Sequence, residues 1–599
     1  MKSLKIAILT LCTGLTLTSC NFLEKEPYEL VPENYFNNAS EVNSFLTSIY
    51  APLASQHFYG NYYMHSVGGS DLEHFGGVRN AMSSGVIACN NATASSPYFS
   101  YLWSTLYQGI DRACTFLENI DRVTADEITD EIREQYRSEA RFLRAFYYFT
   151  LVQGWGDVPF RTTATNSVTG LSVTRTGKET IYDFIVKEMV ECANGLLSAA
   201  DLSFQPGRIS RSTCWGILAR VYLFRAGEHY RDHEVGDQTA ILEYFRQASH
   251  YAQLVMNEGH GLAENYWDFF IDLCSNQYNT TANESIWEIE FAGTYTAETR
   301  GEGRIGNMIG IAAPRIDNQD IIGQRDPGYG YAYYWSTPKL YELYMTNNDI
   351  ERMNWSIAPF EYVQQITGEG VTGRTFYAGK MDEVKQQYWD KSFQYGEYTG
   401  APANYNNVGD FERNRNNNSD NNFNRNYSRA CGKYRREYEN LEVKKNANYT
   451  SINFPVLRYA DVLLMVAEAE NEVNGGPTPL AYQCLNEVRT RANIATYPEN
   501  SMSQEQFRQA VKDERGMELC FEYLRRYDLI RWGEYVSSLN ELALRAMQGL
   551  DANWNRGNTD NNNSYPCYPY FQITDAYNYF PIPDSEISTN TEITQNPGW

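Results

Sequence analysis

Two histidines four residues apart are the first pattern in this 599-residue sequence that could bind a metal ion. His229 and His233 stand in the segment EHYRDH, where the spacing would place both on one helix face. A metal site needs a third ligand and an apolar shell, and the HExxH pattern of zinc enzymes is absent. We interpret the pair as a solvated helix end, and no metal site is predicted.

Patterns typical of catalysis are missing or incomplete. Neither the GxSxG nucleophile turn nor the Walker A loop occurs. GEGRIG at 301–306 matches GxGxxG but lacks a βαβ unit around it, and DANWNRG at 551–557 resembles a calcium loop whose glycine comes one position late. A carboxylate pair for glycoside hydrolysis can form from distant residues, so a glycosidase remains an alternative. The sequence predicts no cofactor and no catalytic residue.

Composition excludes further classes of protein. Lys and Arg total 50 against 74 Asp and Glu, which gives a formal net charge of −24. Binding to nucleic acid phosphates needs the opposite excess, so no nucleic acid partner is predicted. The 47 tyrosines outnumber the 28 phenylalanines and 11 tryptophans. Because tyrosine joins an apolar ring to a polar tip, this excess indicates contact surfaces as well as core.

The first 20 residues have the pattern of an export signal. Lys2 and Lys5 precede an apolar stretch over 6–17, and the segment ends in Leu-Thr-Ser before Cys20. This stretch is too short to span a bilayer as a stable helix. The ending resembles a bacterial lipobox, which predicts a signal peptide over 1–19 and a lipid-modified Cys20; the alternative is a plain cleavable signal. Several acyl chains would give lasting membrane attachment.

Nine cysteines remain after Cys12 and Cys20 are set aside. Nine is an odd number, and no two of them have the CxxC spacing, so neither a disulfide framework nor a zinc site is indicated. Most lie among apolar residues at helical spacing, as Cys214 does in RSTCWGILARVYLF. They are predicted to be small buried thiols.

Helical periodicity dominates a first block at about 40–260. Apolar residues recur every three or four positions between Ile132 and Leu151, and similar patterns follow in three further segments. Successive helices joined by short turns are typical of tetratricopeptide-like repeats. The fold class predicted is mostly α, an α-solenoid of helix pairs supporting a loop-rich binding region with a few short strands. The three further helices are predicted over Thr180–Leu197, Ser212–Ala226 (ended by Gly227) and Leu242–Asn257.

The middle of the chain, about 261–455, differs from both ends. Alternating residues predict a strand over 284–291, and Asn-rich tracts at 414–426 and 553–564 predict long surface loops. Helices resume at Val456 in a second block over about 456–599. We therefore expect a domain from 20 to 599 in which two helical blocks flank a ligand region.

An ordered set of short motifs along the whole chain resembles the SusD/RagB family of surface lipoproteins from glycan-degrading bacteria. Any one motif is weak, whereas the ordered set is specific. The motifs are the lipobox at Cys20, Trp103–Tyr107, Glu139–Phe149, Gly156–Pro159, Gly207–Ser210, Arg458–Leu464, Asn486–Arg489, Glu514–Leu519, Asp528–Gly533, Pro581–Pro583 and Gln595–Trp599.

The resemblance implies four tetratricopeptide-like helix pairs and a protein that binds oligosaccharides without chemistry. It also implies a partner, a SusC-like TonB-dependent transporter in the outer membrane, to which ligand is delivered. Capture of peptides, as in some family members, is the alternative. The charged motif residues Arg458, Arg515 and Glu518, with others of their kind, are interpreted as pairs between helices rather than ligand contacts.

The resemblance further implies two ligand-binding loop regions. In the first, the matching polar positions are Asp71 and Arg79, with His74 and Tyr98 as nearby options. The second holds five rings in seven residues beside glycines, and alternation would place three of the tyrosines on one side. These rings could instead be buried or face the transporter. The predicted contacts of the second region are Tyr295, Arg304, Tyr329, Tyr331, Tyr333 and Trp335.

Overall fold

The computed structural model describes most of the chain from residue 35 onwards. Cys20, Arg79, Tyr295 and both Asn-rich tracts lie outside the described residues. Within the described part, no helix combines the length and apolar character needed to cross a membrane. The described ranges are 35–75, 88, 90, 92–167, 172–232, 237–292, 303–315, 328–358, 360–367, 370–378, 429–440, 445–547 and 571–599.

The fold is mostly helical, as predicted. Long helices come first, short ones occupy the middle, and long ones return near the C-terminus. In chain order the helices are α1 Ala39–Ala54, α2 Tyr62–Val67, α3 Pro97–Asn119, α4 Asp130–Trp155, α5 Lys178–Cys192, α6 Arg211–Asp232, α7 Gln238–Met256, α8 Tyr266–Ser275, α9 Ile305–Met308, α10 Pro338–Thr346, α11 Ile350–Ser356, α12 Tyr459–Val473, α13 Pro479–Arg491, α14 Gln504–Leu519, α15 Arg525–Arg531, α16 Tyr535–Met547 and α17 Asp584–Thr589.

The strands form short antiparallel pairs, and two of these pairs, β1–β5 and β4–β8, connect distant parts of the chain. β1 pairs with β5, β2 with β3, β4 with β8, and β6 with β7. The strand predicted over 284–291 is confirmed as β4. The strands are β1 Glu73–Phe75, β2 Val158–Pro159, β3 Arg175–Thr176, β4 Ser285–Ile289, β5 Tyr334–Ser336, β6 Phe360–Thr367, β7 Gly370–Ala378 and β8 Phe454–Arg458.

Local sequence explains the longest helix, α4. The Thr129 hydroxyl accepts a hydrogen bond from the Ile132 amide at 3.3 Å, which caps the first turn. The helix ends at Gly156, whose φ of 71° favours glycine. Leu143 and Leu151 on the predicted apolar face are fully buried, whereas Ile132 in the first turn is 39% exposed. The helix packs against α3 on one side and α5 on the other.

Neighbouring helices form a continuous layered array. α6 packs on α7, α7 on α12, and α12 on both α13 and α14. The two helical blocks therefore meet through α7 and α12, although about 200 residues separate these helices in the chain. This arrangement supports the middle segments on one rigid scaffold.

Several predicted helix boundaries are wrong: the helix predicted over 180–197 ends at Cys192, and the one predicted from Leu242 already starts at Gln238. Two further boundaries are wrong for a clear physical reason. α6 does not stop before Gly227 but continues to Asp232, and a Cβ at Gly227 would lie 2.2 Å from the Arg531 carbonyl oxygen. The glycine therefore permits close packing rather than ending the helix. Val456 belongs to β8, and the helix starts only at Tyr459. The pairing of β8 with β4 sets this boundary, and such a pairing cannot be recognised from the local periodicity of the sequence.

The cysteine prediction is confirmed for the seven described cysteines, all of which are free and buried. Cys192 and Cys214 lie closest together, with Sγ atoms 3.8 Å apart. Burial raises the pKa of Cys214 well above its ordinary value. These thiols behave as small apolar groups of the core.

The charged motif residues form buried ion pairs between helices, as predicted. Arg515 on α14 bonds Asp461 on α12 at 2.7 Å and Asp528 on α15 at 2.9 Å. Arg458 bonds Glu518 at 2.5 Å within a larger cluster. Planar guanidinium groups fit this role because each can donate to several carboxylates at once.

Candidate ligand-binding site

Three tyrosines line up on one side of the segment that leads into β5. Tyr329, Tyr331 and Tyr333 are half-buried, while Gly330 and Ala332 between them are buried. The ring centroids of Tyr329 and Tyr331 lie 4.5 Å apart, and those of Tyr331 and Tyr333 lie 4.9 Å apart. The predicted alternation is confirmed, and we call these three side chains the aromatic ridge.

Backbone hydrogen bonds to α9 fix the ridge. The amides of Tyr331 and Tyr333 donate to the carbonyls of Asn307 and Met308 at 2.7 and 2.8 Å. Gly330 forms an isolated antiparallel bridge with Ala313, and a Cβ at Gly330 would lie only 2.4 Å from the Ile311 oxygen. A glycine is therefore required at this close approach. The rings therefore project from a segment whose register is held by backbone hydrogen bonds.

Arg304 and Asn448 add polar groups beside the ridge. The Arg304 guanidinium lies 6.0 Å from the centre of the Tyr331 ring and 5.9 Å from that of Tyr449. Its Nε donates to the Asn448 carbonyl at 3.2 Å, and its Nη2 donates to Asn307 Oδ1 at 3.3 Å. Asn448 itself is exposed. The ridge thus combines flat rings with forked donors and an amide, the groups that recognise sugar hydroxyls.

A second aromatic patch surrounds Tyr98, the predicted residue on α3. Tyr98 is half-buried and meets Tyr62 edge-on, with ring centroids 4.7 Å apart. His57, Tyr62 and Tyr101 are parallel within 17°, and their centroids lie 4.6 to 6.0 Å from one another. If the three rings were stacked in three successive layers, the two outer rings would lie much further apart than these distances. The rings therefore form a patch of two layers.

One backbone bond links the two aromatic surfaces. The Arg304 amide donates to the Gly60 carbonyl at 3.0 Å, and Gly60 lies between His57 and Tyr62 in the chain. The Gly60 segment therefore connects the patch around Tyr98 with Arg304 and the ridge, although these sequence-predicted residues come from separate segments of the chain.

Asp71 is a correction to the sequence-based prediction. Its side chain is fully buried, and its carboxylate bonds Arg525 at 2.8 and 2.9 Å and Lys339 at 2.8 Å. Burial alone would raise the pKa of Asp71, but these two cations outweigh burial and hold that pKa well below its usual range. Asp71 therefore fastens its loop to α15 and α10 and presents no acceptor to a ligand.

His74 is a second correction, because it is fully buried on β1. Burial lowers the pKa of His74 to about 3, so this ring is neutral at neutral pH. Burial likewise raises the pKa of its neighbour Glu73 to about 8. Neither side chain on this strand presents a polar group at the ligand surface.

Trp335 is half-buried on β5 opposite His74 in the strand register. Its indole Nε1 donates to the Ala332 carbonyl at 2.6 Å, so its polar edge is already used. Arg79 and Tyr295, the remaining predicted contacts, lie outside the described residues.

Sequence reasoning missed several residues of this region. Asn307, Asn448 and Tyr449 contact Arg304, yet Asn448 follows it by 144 positions in the chain. His57 and Tyr62 join the patch around Tyr98 through ring contacts alone. Only the density of tyrosine and asparagine in these segments hinted at a contact surface.

A helical scaffold that presents a partly exposed aromatic surface is typical of a binding protein, and sequence comparison identifies the family. The sequence model of the SusD family matches residues 283–599. A second model, described as "Starch-binding associating with outer membrane", matches residues 21–223. The chain belongs to the SusD family.

Individual relatives agree with this assignment along most of the chain. SusD-like protein P25 of Formosa agariphila is 27% identical over 558 residues, which is 88% of this chain and 89% of that protein. The starch-binding protein SusD of Bacteroides thetaiotaomicron is 25% identical over 482 residues, 79% of this chain and 74% of that protein. The crystal structure of a SusD homolog from the same organism superposes with a TM-score of 0.75 at 25% identity, covering 95% and 99% of the two chains.

Proposed function

We propose that this protein is a cell-surface lipoprotein that captures oligosaccharides through the aromatic ridge and the patch around Tyr98. The observation that carries the proposal is the row of three half-exposed tyrosines beside Arg304 and Asn448. Family membership and the starch-binding relative support a glycan as the ligand. Tyrosine rings would cover the C–H faces of sugars, while the guanidinium and amide groups bond hydroxyls.

Binding rather than catalysis fits the groups that surround the ridge. Among the described residues, the side chains that make polar contacts with Tyr329 and Tyr331 belong to arginine, asparagine and tyrosine. Glycoside hydrolysis needs two carboxyl groups, and arginine, asparagine and tyrosine do not supply them. The chain would therefore hold a glycan without breaking it.

Delivery of the captured glycan would require a transporter. We propose a SusC-like TonB-dependent transporter in the outer membrane as the partner, with this protein acting as its lid. The rigid array of α6, α7, α12 and α14 supports motion of the whole protein as one body over the transporter. Such gating couples ligand capture to uptake without covalent chemistry.

A glycan-array screen with the soluble chain 21–599, followed by calorimetry on each hit, tests the capture of glycans. We expect binding to at least one glycan and no release of cleaved product. Binding of peptides without binding of glycans would favour the peptide-capturing alternative. Release of shortened oligosaccharides by pure protein would favour a glycosidase and would contradict the proposal.

Cys20→Ser should release the protein from the outer membrane, because the thiol of Cys20 is the proposed attachment point of the acyl chains. Each buried CH₂ of an acyl chain contributes about 0.8 kcal/mol, so losing the chains removes nearly all membrane affinity. Membrane fractionation and mass spectrometry of the N-terminal peptide measure the effect. Cys12→Ser is the matched control, because Cys12 lies in the segment proposed to be removed. Retention of the Cys20 variant in the membrane would overturn lipid anchoring.

A further inference from the structure

Arg304 differs from the scaffold arginines because no carboxylate among the described residues neutralises its charge. Arg352, Arg458 and Arg515 each contact at least two carboxylates within 4.0 Å. Arg304 has no carboxylate within that distance among the described residues; its bonds go to the neutral groups of Asn448 and Asn307. It is also half-exposed, so its charge reaches the surface.

The Arg304 guanidinium is fixed in place yet has one edge open. Nε and Nη2 donate to Asn448 and Asn307, and the described residues offer no acceptor to Nη1. The rings of Tyr331 and Tyr449 flank the group at about equal distances, 6.0 and 5.9 Å. A guanidinium held this way loses little conformational entropy when a planar or tetrahedral anion binds its free edge.

Further positive charges lie near the ridge, although the chain as a whole is acidic. Arg436 Nη1 donates to the Tyr329 carbonyl at 2.7 Å, although Glu439 balances the Arg436 charge at 3.2 Å. The positive charge of Arg315 acts on the Tyr329 hydroxyl. The chain as a whole carries a formal charge of −24. An anionic ligand would be repelled by most of this surface, so cations at the ridge would decide where it binds.

We infer that the ridge selects an anionic glycan, with Arg304 bonding a carboxylate or sulfate group of the sugar beside Tyr331. This inference rests on the proposed function, because it names the class of glycan that the same surface takes. A neutral glycan with the same backbone would still cover the tyrosine rings. It would lack the ion pair, and its affinity would be lower.

Matched pairs of glycans test this inference separately from glycan capture itself. The probes are oligosaccharides of polygalacturonate and alginate with their carboxyl-reduced forms, and of carrageenan and chondroitin sulfate with their desulfated forms, together with neutral starch oligosaccharides. We expect at least one charged member to bind about tenfold or more tightly than its neutral partner, and less tightly as salt is raised. The carboxylate and sulfate pairs distinguish the two anions.

Equal binding of the charged and neutral members, or binding of neutral glycans alone, would overturn the inference and leave the proposed function standing. No binding to any probe would count against both. These outcomes are distinguishable because each charged probe has a neutral partner with the same linkages.

Substitutions at Arg304 connect the preference to this residue. Arg304→Gln should weaken binding of the charged probe about tenfold more than binding of its neutral partner, which loses only hydrogen bonds to hydroxyls, whereas Arg304→Lys should keep part of the preference. Arg246→Gln is the matched control, because Arg246 on α7 has Glu243 as its described ion-pair partner and its loss changes the net charge equally. Thermal unfolding verifies that each variant is folded. Equal effects of Arg304→Gln and Arg246→Gln would assign the preference to net charge and overturn the role of Arg304.

Discussion

Glu518→Gln is expected to destabilise the protein more than other single charge-neutralising changes outside its cluster. Glu518 is fully buried and bonds Arg458 at 2.5 Å, Arg352 at 2.7 Å and also Arg491. Removing one partner of a buried ion pair costs about 3–5 kcal/mol, because the remaining charge is left in a medium of low polarity. We expect a fall in Tm of several degrees.

The charge balance of the cluster explains why the cost should be large. Five buried cations face five buried carboxylates, so the cluster is neutral as a whole and each removed carboxylate leaves one excess positive charge. The cations are Arg352, Lys433, Arg458, Arg489 and Arg491, and the carboxylates are Glu284, Asp349, Glu514, Glu518 and Glu522.

The control for this prediction is Glu243→Gln on α7, whose exposed pair with Arg246 contributes at most about 0.5 kcal/mol. Thermal scans at one fixed rate compare the variants, since a chain of this size can unfold irreversibly. A Tm of Glu518→Gln equal to that of the control would show that water or movement compensates the excess charge, contrary to the prediction.

The pH dependence of this effect has a definite sign. Burial would raise the pKa of Glu518, but Arg491, Arg458 and Arg352 together lower it well below 4.5. A group whose pKa is lower in the folded state contributes stability above its unfolded pKa and loses that stability as the pH falls through its folded pKa. The difference between the wild type and Glu518→Gln should therefore stay constant above about pH 7, change near pH 6 where Asp349 of the same cluster titrates because burial raises its pKa to about 6, and shrink in acid.

Helices and scaffold pairs were predictable because both follow from short-range patterns. The periodicity between Ile132 and Leu151 reports burial on one face of α4, whatever packs there. Charged residues within buried, apolar segments need partners, so Arg458 and Arg515 could be interpreted as scaffold from the sequence. The alternation of Tyr329, Tyr331 and Tyr333 is equally local.

The predictions that were wrong involve contacts between segments that are distant in the chain. Asp71 has polar neighbours in the sequence, yet it is buried in an ion pair with Arg525, which lies 454 positions later in the chain. Gly227 looks like a helix end until Arg531 occupies the space beside it. Such pairings depend on how whole helices meet, and one sequence without its contacts does not contain them.

Tyr329→Ala should reduce glycan affinity by about thirtyfold, or about 2 kcal/mol, while the fold remains intact. Tyr329 lies at the end of the ridge and is half-buried, so part of its ring remains available to a ligand. Combining this change with Tyr331→Ala and Tyr333→Ala should bring binding below detection. Calorimetry with a glycan from the array measures the affinity, and thermal unfolding measures the stability.

The matched control is Tyr251→Ala on α7, where a half-buried tyrosine stacks on Tyr222 at 5.8 Å away from the ridge segment. It should cost some stability and no affinity. A Tyr329 variant that loses thermal stability as well as binding would identify the ridge as core. A variant that keeps glycan affinity but no longer assembles with the transporter would assign the ridge to the protein interface, because tyrosine suits both surfaces equally well. Retained glycan affinity would therefore assign the rings to the transporter interface. Loss of glycan affinity at unchanged stability would assign them to glycan binding.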